Sequence, residues 1–386
     1  MPEPLKGPLA GVRVVDFGHW VAGPYATHVL CELGATVVKV EAPWGEPMGR
    51  SLSGPYATVN RKKLSLALDV SASTAADVIR RLILWSDIVV HNFRPGVAER
   101  LGFGRAAVAR IDPTVCVLEI SAYGSSGTSA RQPGFDPIFG ASAGHAWRSG
   151  GPQGPPLCST RLGTIDCGTG MLGAFAAVTA LYGSKSGGRG VAAGLSLLDA
   201  SVFLMGEIER SPTGALTGPI TVDRDRTGSH PTEALYRLRD GWVALIASDD
   251  GSRRELVTAL GLGDLTSDPP SRWGERHRDA ISEALRTLTR DELVATIDGI
   301  SVSVVRCAQQ PAPNVAEVPI RFDPPFSSAS SPSAPRLGAQ TTSVLRMIGL
   351  SDAEIEHLLD TKVAVCTGSA STPLPSTNAE GQEGQA

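Results

Sequence analysis

Residues 11–18 read GVRVVDFG and residues 36–41 read TVVKVE, and these two apolar runs are typical of buried parallel strands. Between them, residues 26–33 predict a helix that ends at Gly34. Strand, helix and strand in this order predict a βαβ unit. This unit therefore predicts a fold of the α/β class.

The same alternation continues along the chain. Further strands are predicted at residues 64–70, 87–91, 114–121 and 191–196, and further helices at residues 75–85, 168–182 and 197–208. Regular alternation of this kind predicts a parallel sheet with helices on both faces, as in Rossmann-like domains.

The middle of the chain has a different pattern, which predicts a second, smaller domain. Segments 235–238 and 242–247 flank an Asp-Gly turn and predict a β-hairpin. Ser351 and Glu354 form a capping-box pattern at the start of a final helix. Other predicted features are a linker at 211–229 and helices at 276–288 and 290–298. The predicted boundaries are a large domain at 1–210, a small domain at 225–325, a return segment at 326–362 and a disordered tail at 363–386.

Composition excludes several classes of protein. Of the 386 residues 42% are hydrophobic, which supplies a core, while the net charge of −4 and 5% aromatic content disfavour a nucleic-acid partner. The N-terminus lacks a signal peptide, and the apolar stretch 171–182 is too short to span a bilayer. The six cysteines contain no CxxC. We therefore expect a cytoplasmic protein without membrane partner or disulfide framework.

Three chemistries lack their motifs. Segment 18–23, GHWVAG, is not GxGxxG and carries bulky Trp20 where a pyrophosphate needs close backbone approach, although Glu41 stands where a ribose-binding acid would. The seven histidines form no HxxxH or HExxH, and no GxSxG occurs. The sequence therefore predicts no NAD, no metal and no serine-hydrolase elbow.

Four segments are candidates for function, and each has a structural alternative. Asp166, in GTIDCGTGMLG (163–173), enters an apolar helix whose N-terminus would lower its pKa, with glycines at 168, 170 and 173 leaving room for a ligand. The alternative is a simple helix cap. Asp136 is a second candidate or the cap of a helix that begins at Pro137. Segment 92–96 is a ligand loop or a turn, and segment 60–63, NRKK, is a phosphate patch or a solvated face.

Together and in order, these motifs resemble the family III CoA-transferases, which include formyl-CoA:oxalate CoA-transferase, carnitine CoA-transferase and α-methylacyl-CoA racemase. The matching segments are residues 9–16, 22–24, 33–41, 60–69, 87–102, 134–136, 166–173 and 187–199, with further similarity at 236–247 and 335–359. The resemblance implies a Rossmann-like large domain built from both ends of the chain, a smaller α+β domain and an interlocked homodimer.

The resemblance also implies an activity. Asp166 corresponds to the nucleophilic aspartate that takes CoA from an acyl-CoA donor and passes it to a carboxylic acid acceptor through an aspartyl-CoA thioester. Coenzyme A enters as acyl-CoA co-substrate. By position, the implied CoA contacts are Val21, Ala22, Leu68, Ser71, Asn92, Phe93, Arg94, Arg100, Gly134, Phe135 and Asp136. Ala42 stands where formyl-CoA transferase has an arginine, so Arg61 or Lys62 is expected to replace that contact.

Departures from the family pattern separate its branches. The racemase branch uses the histidine of a Gly-His-Asp motif as a second acid/base, whereas this sequence has Phe135 there, and His145 is nine residues beyond Asp136. Val21 replaces a glutamine of formyl-CoA transferase. A transferase is favoured, with a racemase-like epimerase and a non-catalytic CoA-binding paralogue as alternatives.

Overall fold

The computed structural model describes residues 7–46, 53–150, 154–157, 163–206, 209–214, 216–217, 222–308 and 334–366. They form two compact units. The first contains the described residues up to 143 together with 163–204 and 334–366, and the second contains those within 144–157 and 205–308.

The elements are numbered in chain order. The strands are β1 (Arg13–Asp16), β2 (Thr36–Glu41), β3 (Leu64–Leu68), β4 (Ile88–His91), β5 (Cys116–Ser121), β6 (Ala192–Ser196), β7 (Glu209–Arg210), β8 (Leu216–Thr217), β9 (Gly228–His230), β10 (Glu233–Leu238), β11 (Gly241–Ile246), β12 (Ser303–Arg306) and β13 (Ala364–Val365). The helices are α1 (Ala22–Glu32), α2 (Ser53–Asn60), α3 (Ala76–Trp85), α4 (Val97–Leu101), α5 (Arg105–Ile111), α6 (Asp136–Ser142), α7 (His145–Gly150), α8 (Thr164–Gly187), α9 (Leu197–Phe203), α10 (Asp250–Ala259), α11 (Glu275–Arg286), α12 (Arg290–Thr296), α13 (Thr341–Met347) and α14 (Asp352–Asp360).

The first unit is built on a seven-stranded sheet in the order β13-β3-β2-β1-β4-β5-β6. Every neighbouring pair is parallel except β13 with β3, which is antiparallel. The central strands are buried on both faces, as their continuous apolar sequence requires. This confirms the predicted α/β class with a large parallel sheet.

Alternate residues of each central strand enter two separate cores. Val15, Val38 and Val89 pack with α3, α13 and α14 on one face, whereas Val14 and Ile88 pack with α1 and α8 on the other. The carboxyl ends of the parallel strands share one edge, where α/β proteins bind ligands.

Helix α1 begins four residues earlier than predicted, at Ala22. Pro24 suits the first turn of a helix, where its missing N–H has no partner to lose, so the helix extends back through it. Helix α8 also begins earlier than predicted, at Thr164, and this places Asp166 in its first turn. The capping box of Ser351 and Glu354 is confirmed at the start of α14.

The chain returns to the first unit after the second. Gln340 N–H donates to the Ser65 carbonyl at 3.1 Å, and Ala67 N–H donates to Thr341 Oγ1 at 3.1 Å. The sequence predicts a disordered tail from residue 363, but Ala364 and Val365 pair with β3, because that strand would otherwise expose an unpaired edge. Residues 367–386 lie outside the described residues, as do residues 326–333 at the start of the predicted return segment 326–362.

In the second unit, the sheet is antiparallel, in the order β12-β11-β10-β9, with α10, α11 and α12 packed on one face. The predicted hairpin is present, with Arg239 and Asp240 between β10 and β11. The predicted linker 211–229 instead contains β8 and the start of β9 among its described residues. Its few apolar residues lack strand periodicity, so the sequence pattern did not reveal them.

Helix α8 is 24 residues long, and by length and composition it could cross a membrane. The predicted apolar stretch 171–182 is thus part of a longer helix than expected. Gly170 and Gly173 let it pack closely on α1 and β5, since a Cβ at Gly170 would lie 2.9 Å from the Ala22 carbonyl oxygen and one at Gly173 3.2 Å from Ile120 Cδ1.

Candidate active site

Asp166 lies in the first turn of α8, beside the loop that joins β1 to α1. The helix is preceded by Gly163, whose φ of +94° is a left-handed conformation that favours glycine. A Cβ atom there would lie 3.6 Å from Val21 Cγ1 and 3.8 Å from Asp166 Cβ. Val21 and Asp166 therefore both border the start of α8.

The backbone N–H groups at this helix start are occupied by Asp136. Its Oδ2 accepts hydrogen bonds from Ile165 N–H at 2.7 Å and from Asp166 N–H at 2.9 Å. Asp136 is only 6% exposed. The prediction that Asp136 caps its own helix is wrong, because α6 has Phe135 as its N-cap and makes no side-chain cap hydrogen bond. Asp136 caps α8 instead, through a contact between distant segments.

This arrangement reverses the expected electrostatics of Asp166. The sequence predicts that the helix N-terminus lowers the pKa of its carboxyl group. Burial and then the nearby Asp136 carboxylate instead raise the pKa of Asp166 to about 7. The expectation fails because the N–H groups that would have stabilised the Asp166 carboxylate are already bonded to a second carboxylate.

The side chains around the helix start are mainly apolar. Val21 and Val59 form a small buried cluster, and Trp20, Tyr25 and Cys167 pack against it. Burial and the neighbouring carboxylates raise the pKa of the Cys167 thiol to about 11, so this thiol stays protonated at neutral pH.

Two aromatic rings stand beside this cluster. The rings of Trp20 and Phe135 meet edge to face, with centroids 5.3 Å apart and an interplanar angle of 80°. Phe135 is 49% exposed, and Trp20 has a φ of +59°, which is uncommon for a bulky residue. The sequence alone does not predict this pair, because the contact spans 115 residues of chain.

Asn92 fixes the β1–α1 loop from the adjacent strand. Its Oδ1 accepts from His19 N–H at 2.6 Å, and its Nδ2 donates to the His19 carbonyl at 2.7 Å. Close approach is possible because Gly23 has no side chain, since a Cβ there would lie 3.2 Å from Asn92 Cγ. The side chain of this predicted CoA contact is therefore engaged with the backbone of the loop.

Two buried lysines, Lys39 and Lys63, also anchor the β1–α1 loop. Lys63 Nζ donates to Asp16 Oδ2 at 2.9 Å and to the Pro24 carbonyl at 2.8 Å, and Lys39 Nζ donates to the Gly18 carbonyl. Lys39 interrupts the apolar strand β2, and a lysine inside a buried strand signals a buried partner. That signal was present in the sequence.

The family of this chain follows from comparison with known proteins. The family model described as CoA-transferase family III matches residues 9–339. The chain belongs to CoA-transferase family III. The prediction that it is a transferase of this family is confirmed.

Curated relatives of this family III CoA-transferase carry substrate names. An acyl-CoA transferase of Fusarium pseudograminearum is 30% identical over 77% of this chain and 66% of its own length. A succinyl-CoA–L-malate CoA-transferase beta subunit of Chloroflexus aurantiacus is 31% identical over 74% of this chain and 75% of its own. An acetyl-CoA:oxalate CoA-transferase of Acetobacter aceti is 28% identical over 74% of this chain and 75% of its own. The chain thus spans about two thirds to three quarters of these relatives.

Solved structures show the same fold. The protein Rv3272 of Mycobacterium tuberculosis superimposes with a TM-score of 0.69 at 25% identity, covering 88% of this chain and all of that one. A CAIB/BAIF family protein of Brucella suis superimposes with a TM-score of 0.73 at 22% identity, covering 89% and 99%.

The cationic segment 60–63 of this family III CoA-transferase faces inward. Arg61 and Lys62 both approach the Glu32 carboxylate, with Lys62 Nζ 2.7 Å from Oε2, and Lys63 is bonded to Asp16. Both interpretations of this segment, a phosphate patch and a solvated face, are therefore wrong, as is the expectation that Arg61 or Lys62 replaces the arginine absent at Ala42. Buried lysines and arginines need carboxylate partners, and these partners come from α1 and β1.

The predicted CoA contacts are distributed along one edge of the sheet. Val21, Ala22, Gly134, Phe135 and Asp136 gather at the start of α8, and Asn92 adjoins them through His19. Leu68 is fully buried in the core, so its side chain cannot touch a ligand. Ser71 bonds to Asp69, while Arg94 and Arg100 are exposed.

A cleft of about 530 Å³ opens at the carboxyl ends of β4, β5 and β6. It is lined by Phe93 and Arg94 of the predicted CoA contacts, together with buried His91, whose Nε2 lies 3.3 Å from Glu119 Oε1. The other predicted contacts do not line it. Among the described ranges, no cluster of three or more His, Cys, Asp or Glu side chains has the arrangement of a metal site.

The glycines of α8 serve packing rather than ligand access. The sequence predicts that they leave room beside Asp166. A Cβ at Gly168 would lie 2.7 Å from Leu204 Cδ1, and those at Gly170 and Gly173 would meet α1 and β5. The helix therefore needs these glycines to lie close to its neighbours.

Proposed function

We propose that this enzyme moves CoA from an acyl-CoA thioester to a free carboxylic acid, through an aspartyl-CoA thioester on Asp166. The observation that carries this proposal is the pairing of Asp166 with Asp136 at the start of α8. A pKa of about 7 places Asp166 where both protonation states are populated at neutral pH. In its ionised form, such a carboxylate is more basic than an ordinary aspartate and a better nucleophile.

The first half of the reaction transfers CoA to the enzyme. The Asp166 carboxylate attacks the thioester carbonyl of the donor, which forms a mixed anhydride and expels CoA thiolate. The thiolate then attacks the Asp166 acyl carbon, which forms the aspartyl-CoA thioester and releases the donor acid as its carboxylate. No proton or electron is gained or lost in these two steps.

The second half repeats these steps in reverse order with the acceptor. The acceptor carboxylate attacks the aspartyl-CoA thioester, and CoA thiolate leaves. The thiolate attacks the acceptor carbonyl of the resulting anhydride, which releases the new acyl-CoA and regenerates the Asp166 carboxylate. Each attack is intramolecular or between bound partners, so positioning contributes much of the rate.

Asp136 is proposed to position Asp166 rather than to react. It occupies the N–H groups of Ile165 and Asp166, and Cys167 N–H donates to the Gly163 carbonyl at 2.7 Å. The backbone N–H groups at the start of α8 are therefore already bonded. Asp136 holds the first turn of α8, and its charge keeps the Asp166 carboxylate basic.

CoA binding is proposed at the strand edge next to this site. Arg94, which precedes α4, and Arg100, in the last turn of α4, are exposed, and neither has an ion pair among the described residues, so both are available for CoA phosphates. The remaining proposed contacts are Val21, Ala22, Ser71, Asn92, Phe93, Gly134, Phe135 and Asp136. Leu68 can contribute only through its backbone, because its side chain is buried.

A homodimer with interlocked chains is also proposed, with the protein in the cytoplasm. Helices α8 and α9 of the first unit expose large apolar side chains, of which Phe175, Tyr182 and Phe203 are each more than two thirds exposed. Exposed apolar patches of this kind mark contact surfaces. Light scattering after size-exclusion chromatography is expected to give twice the chain mass, 80.4 kDa from a chain of 40.2 kDa. A monomer at micromolar concentration would contradict this part of the proposal.

Racemase chemistry is disfavoured by Phe135. This residue stands where the racemase branch has histidine, borders Asp136 and cannot transfer a proton. Incubation of a 2-methylacyl-CoA in deuterated water is therefore expected to give no exchange of the α-proton. Exchange at a rate comparable with that of CoA transfer would instead support a racemase-like epimerase.

The covalent route is tested by trapping. The enzyme is incubated with a panel of acyl-CoAs, treated with hydroxylamine and digested, and a hydroxamate is sought on the peptide that contains Asp166. It is expected in the wild-type protein and absent in Asp166→Asn, which is expected to lose transfer by at least about 10³-fold. A hydroxamate on another residue, or an active Asp166→Asn enzyme, would overturn the assignment.

A further inference from the structure

Trp20 and Phe135 form an aromatic wall beside Asp166. The two residues that carry these rings are adjacent in sequence to residues that border the start of α8. Trp20 precedes Val21, which approaches Gly163, and Phe135 precedes Asp136, which accepts hydrogen bonds from Ile165 and Asp166. The two rings meet edge to face at 5.3 Å.

The aromatic wall is not an ordinary part of the core. Phe135 is 49% exposed, and neither ring belongs to the two large cores of the first unit. The backbone of Trp20 has a φ of +59°. The side-chain amide of Asn92 makes two hydrogen bonds to the backbone of the preceding residue, His19. A strained backbone conformation at a bulky, partly exposed residue is more frequent at functional sites than elsewhere.

Among the described residues of the first unit, Asp166 and Asp136 have no cationic partner. Across residues 7–46, 53–150 and 163–206, no lysine or arginine pairs with Asp166 or Asp136. The basic residues that hold the β1–α1 loop, Lys39 and Lys63, are buried in their own ion pairs. Asp136 instead places a negative charge next to the nucleophile.

The proposed mechanism makes this environment decisive for both substrates. Donor and acceptor acids each form an anhydride with the same Asp166 carboxyl group, so their acyl groups occupy the same space in turn. A second carboxylate in either acid would lie near the Asp136 carboxylate and the apolar cluster of Val21 and Val59, at a substantial cost in free energy.

Resting on the CoA-transferase function above, we propose that the exchanged acids are apolar monocarboxylates, aromatic or branched, whose hydrocarbon groups pack on the aromatic wall of Trp20 and Phe135. An aromatic acyl group would extend the edge-to-face contact, and a branched aliphatic group would cover the exposed face of Phe135. Dicarboxylates would be disfavoured by the charge of Asp136 and by the apolar character of the wall.

The test is loading of CoA onto the enzyme in a single turnover. The full-length protein is mixed with phenylacetyl-CoA, isovaleryl-CoA or succinyl-CoA, and the enzyme–CoA thioester is followed by intact mass spectrometry. We expect the two apolar donors to load at least about tenfold faster than succinyl-CoA, since one or two groups in an apolar pocket change specificity by about 10- to 200-fold.

A variant that introduces a positive charge gives a second test, which compares donor preference between variants rather than wild-type rates. Phe135→Arg places a cation at a half-exposed position beside Asp136, and it is expected to raise the ratio of succinyl-CoA to phenylacetyl-CoA loading by at least about tenfold. Leu84→Arg is the matched control. Leu84 is 44% exposed on α3, which packs on the opposite face of the sheet, and this variant is expected to leave the ratio unchanged. Phe135→Leu keeps an apolar side chain and is expected to retain the preference for isovaleryl-CoA over succinyl-CoA.

The outcomes separate the substrate class from the reaction. Succinyl-CoA loading as fast as the apolar donors, or a ratio that Phe135→Arg does not move, would overturn the aromatic wall as the selector while leaving CoA transfer intact. Absence of loading with every acyl-CoA would overturn the proposed function, and this inference with it.

Discussion

Asp16 and Asp166 are two aspartates of the same unit whose nearest charges are of opposite sign. Asp16 is fully buried at the end of β1, where Lys63 Nζ lies 2.9 Å from its Oδ2 and Thr27 Oγ1 lies 2.6 Å from the same atom. Asp166 lies in the first turn of α8, and its nearest charged neighbour is the Asp136 carboxylate.

The consequence is that one carboxylate is fixed in its charged form and the other is not. Burial alone would raise the pKa of Asp16, but Lys63 and Lys39 more than offset this effect and leave it lowered. Burial and Asp136 act in the same direction on Asp166 and raise its pKa to about 7. A buried carboxylate with cationic partners holds a structure together, whereas one beside a like charge is available for chemistry.

The largest expected effect is the loss of stability when the structural pair is broken. Lys63→Met leaves the Asp16 carboxylate buried without its cation and also removes the donor to the Pro24 carbonyl. We expect the free energy of unfolding to fall by about 3–5 kcal/mol. Urea unfolding followed by circular dichroism measures this change.

Lys185→Met is the control for that change. Lys185 Nζ pairs with Asp87 at 3.3 Å, but its side chain is 67% exposed, so we expect a change below about 1 kcal/mol. Equal losses from the two lysine variants would show that the buried cation of Lys63 has no special structural role.

The second prediction is that replacing each aspartate by asparagine changes the stability of the protein in opposite directions. The folded-state pKa of Asp16 is lowered, so its charge stabilises the fold above the unfolded pKa near 3.8, and Asp16→Asn is expected to destabilise the protein at pH 8. The folded-state pKa of Asp166 is raised, so its ionisation costs stability as the pH rises from about 4 through about 7. Asp166→Asn is therefore expected to stabilise the protein at pH 8, by about 1–3 kcal/mol after allowance for partial exposure.

Unfolding at pH 5 and pH 8 checks this pair of signs. At pH 5 only the first part of the interval between the unfolded and folded pKa values of Asp166 has been crossed, so Asp166→Asn should stabilise the protein less than at pH 8. A destabilising Asp166→Asn at pH 8, or an effect independent of pH, would remove the contrast between the two sites.

A smaller effect is expected at Asp136, whose charge distinguishes the surroundings of Asp166 from those of Asp16. Asp136→Asn keeps an oxygen that can accept from the N–H groups of Ile165 and Asp166, but it removes the negative charge. We expect the apparent pKa in the pH profile of CoA loading to fall below about 7, and the rate at its plateau to fall about tenfold as Asp166 becomes less basic.

The matching comparison for Asp136 is Asp199→Asn. Asp199 also lies in the first turn of a helix of the first unit, where its Oδ2 accepts from Ser196 Oγ at 2.6 Å, but its carboxylate does not contribute to the raised pKa of Asp166. The pH profile of this variant should coincide with that of the wild-type enzyme. A pH profile unchanged in Asp136→Asn would mean that the neighbouring charge does not tune the nucleophile.

The sequence is sufficient for features that depend on local pattern. The alternation of apolar strands and helices predicts the parallel sheet. The entry of Asp166 into an apolar helix leaves a ligand site and a helix cap both open, and only the resemblance to the family makes this residue the candidate nucleophile. Motif order also leads to the correct family. These features are carried by neighbouring residues, and sequence periodicity reflects them directly.

The rest depends on contacts between distant segments. Asp136 caps a helix that begins 28 residues later, at Thr164, so the adjacent Pro137 suggests the wrong helix. The NRKK segment looks like a surface patch until Glu32 and Asp16 meet it from α1 and β1. Helix N-termini and basic runs therefore have an electrostatic meaning only once their tertiary partners are known.

The smallest effect is expected at the β1–α1 loop, which follows Asp16 and borders the start of α8 beside Asp166. Asn92 holds this loop by two hydrogen bonds to the backbone of His19, although its position predicts a CoA contact. Asn92→Ala is expected to reduce the free energy of unfolding by about 1–2 kcal/mol without CoA present, because both bonds are lost. Thermal unfolding with and without CoA separates the two roles. If the side chain acts only on CoA, the variant will match the wild-type protein in the absence of CoA and differ only when CoA is added. If it clamps the loop, the loss will be present without CoA, and CoA affinity will fall only as far as the displaced Val21 and Trp20 weaken the site.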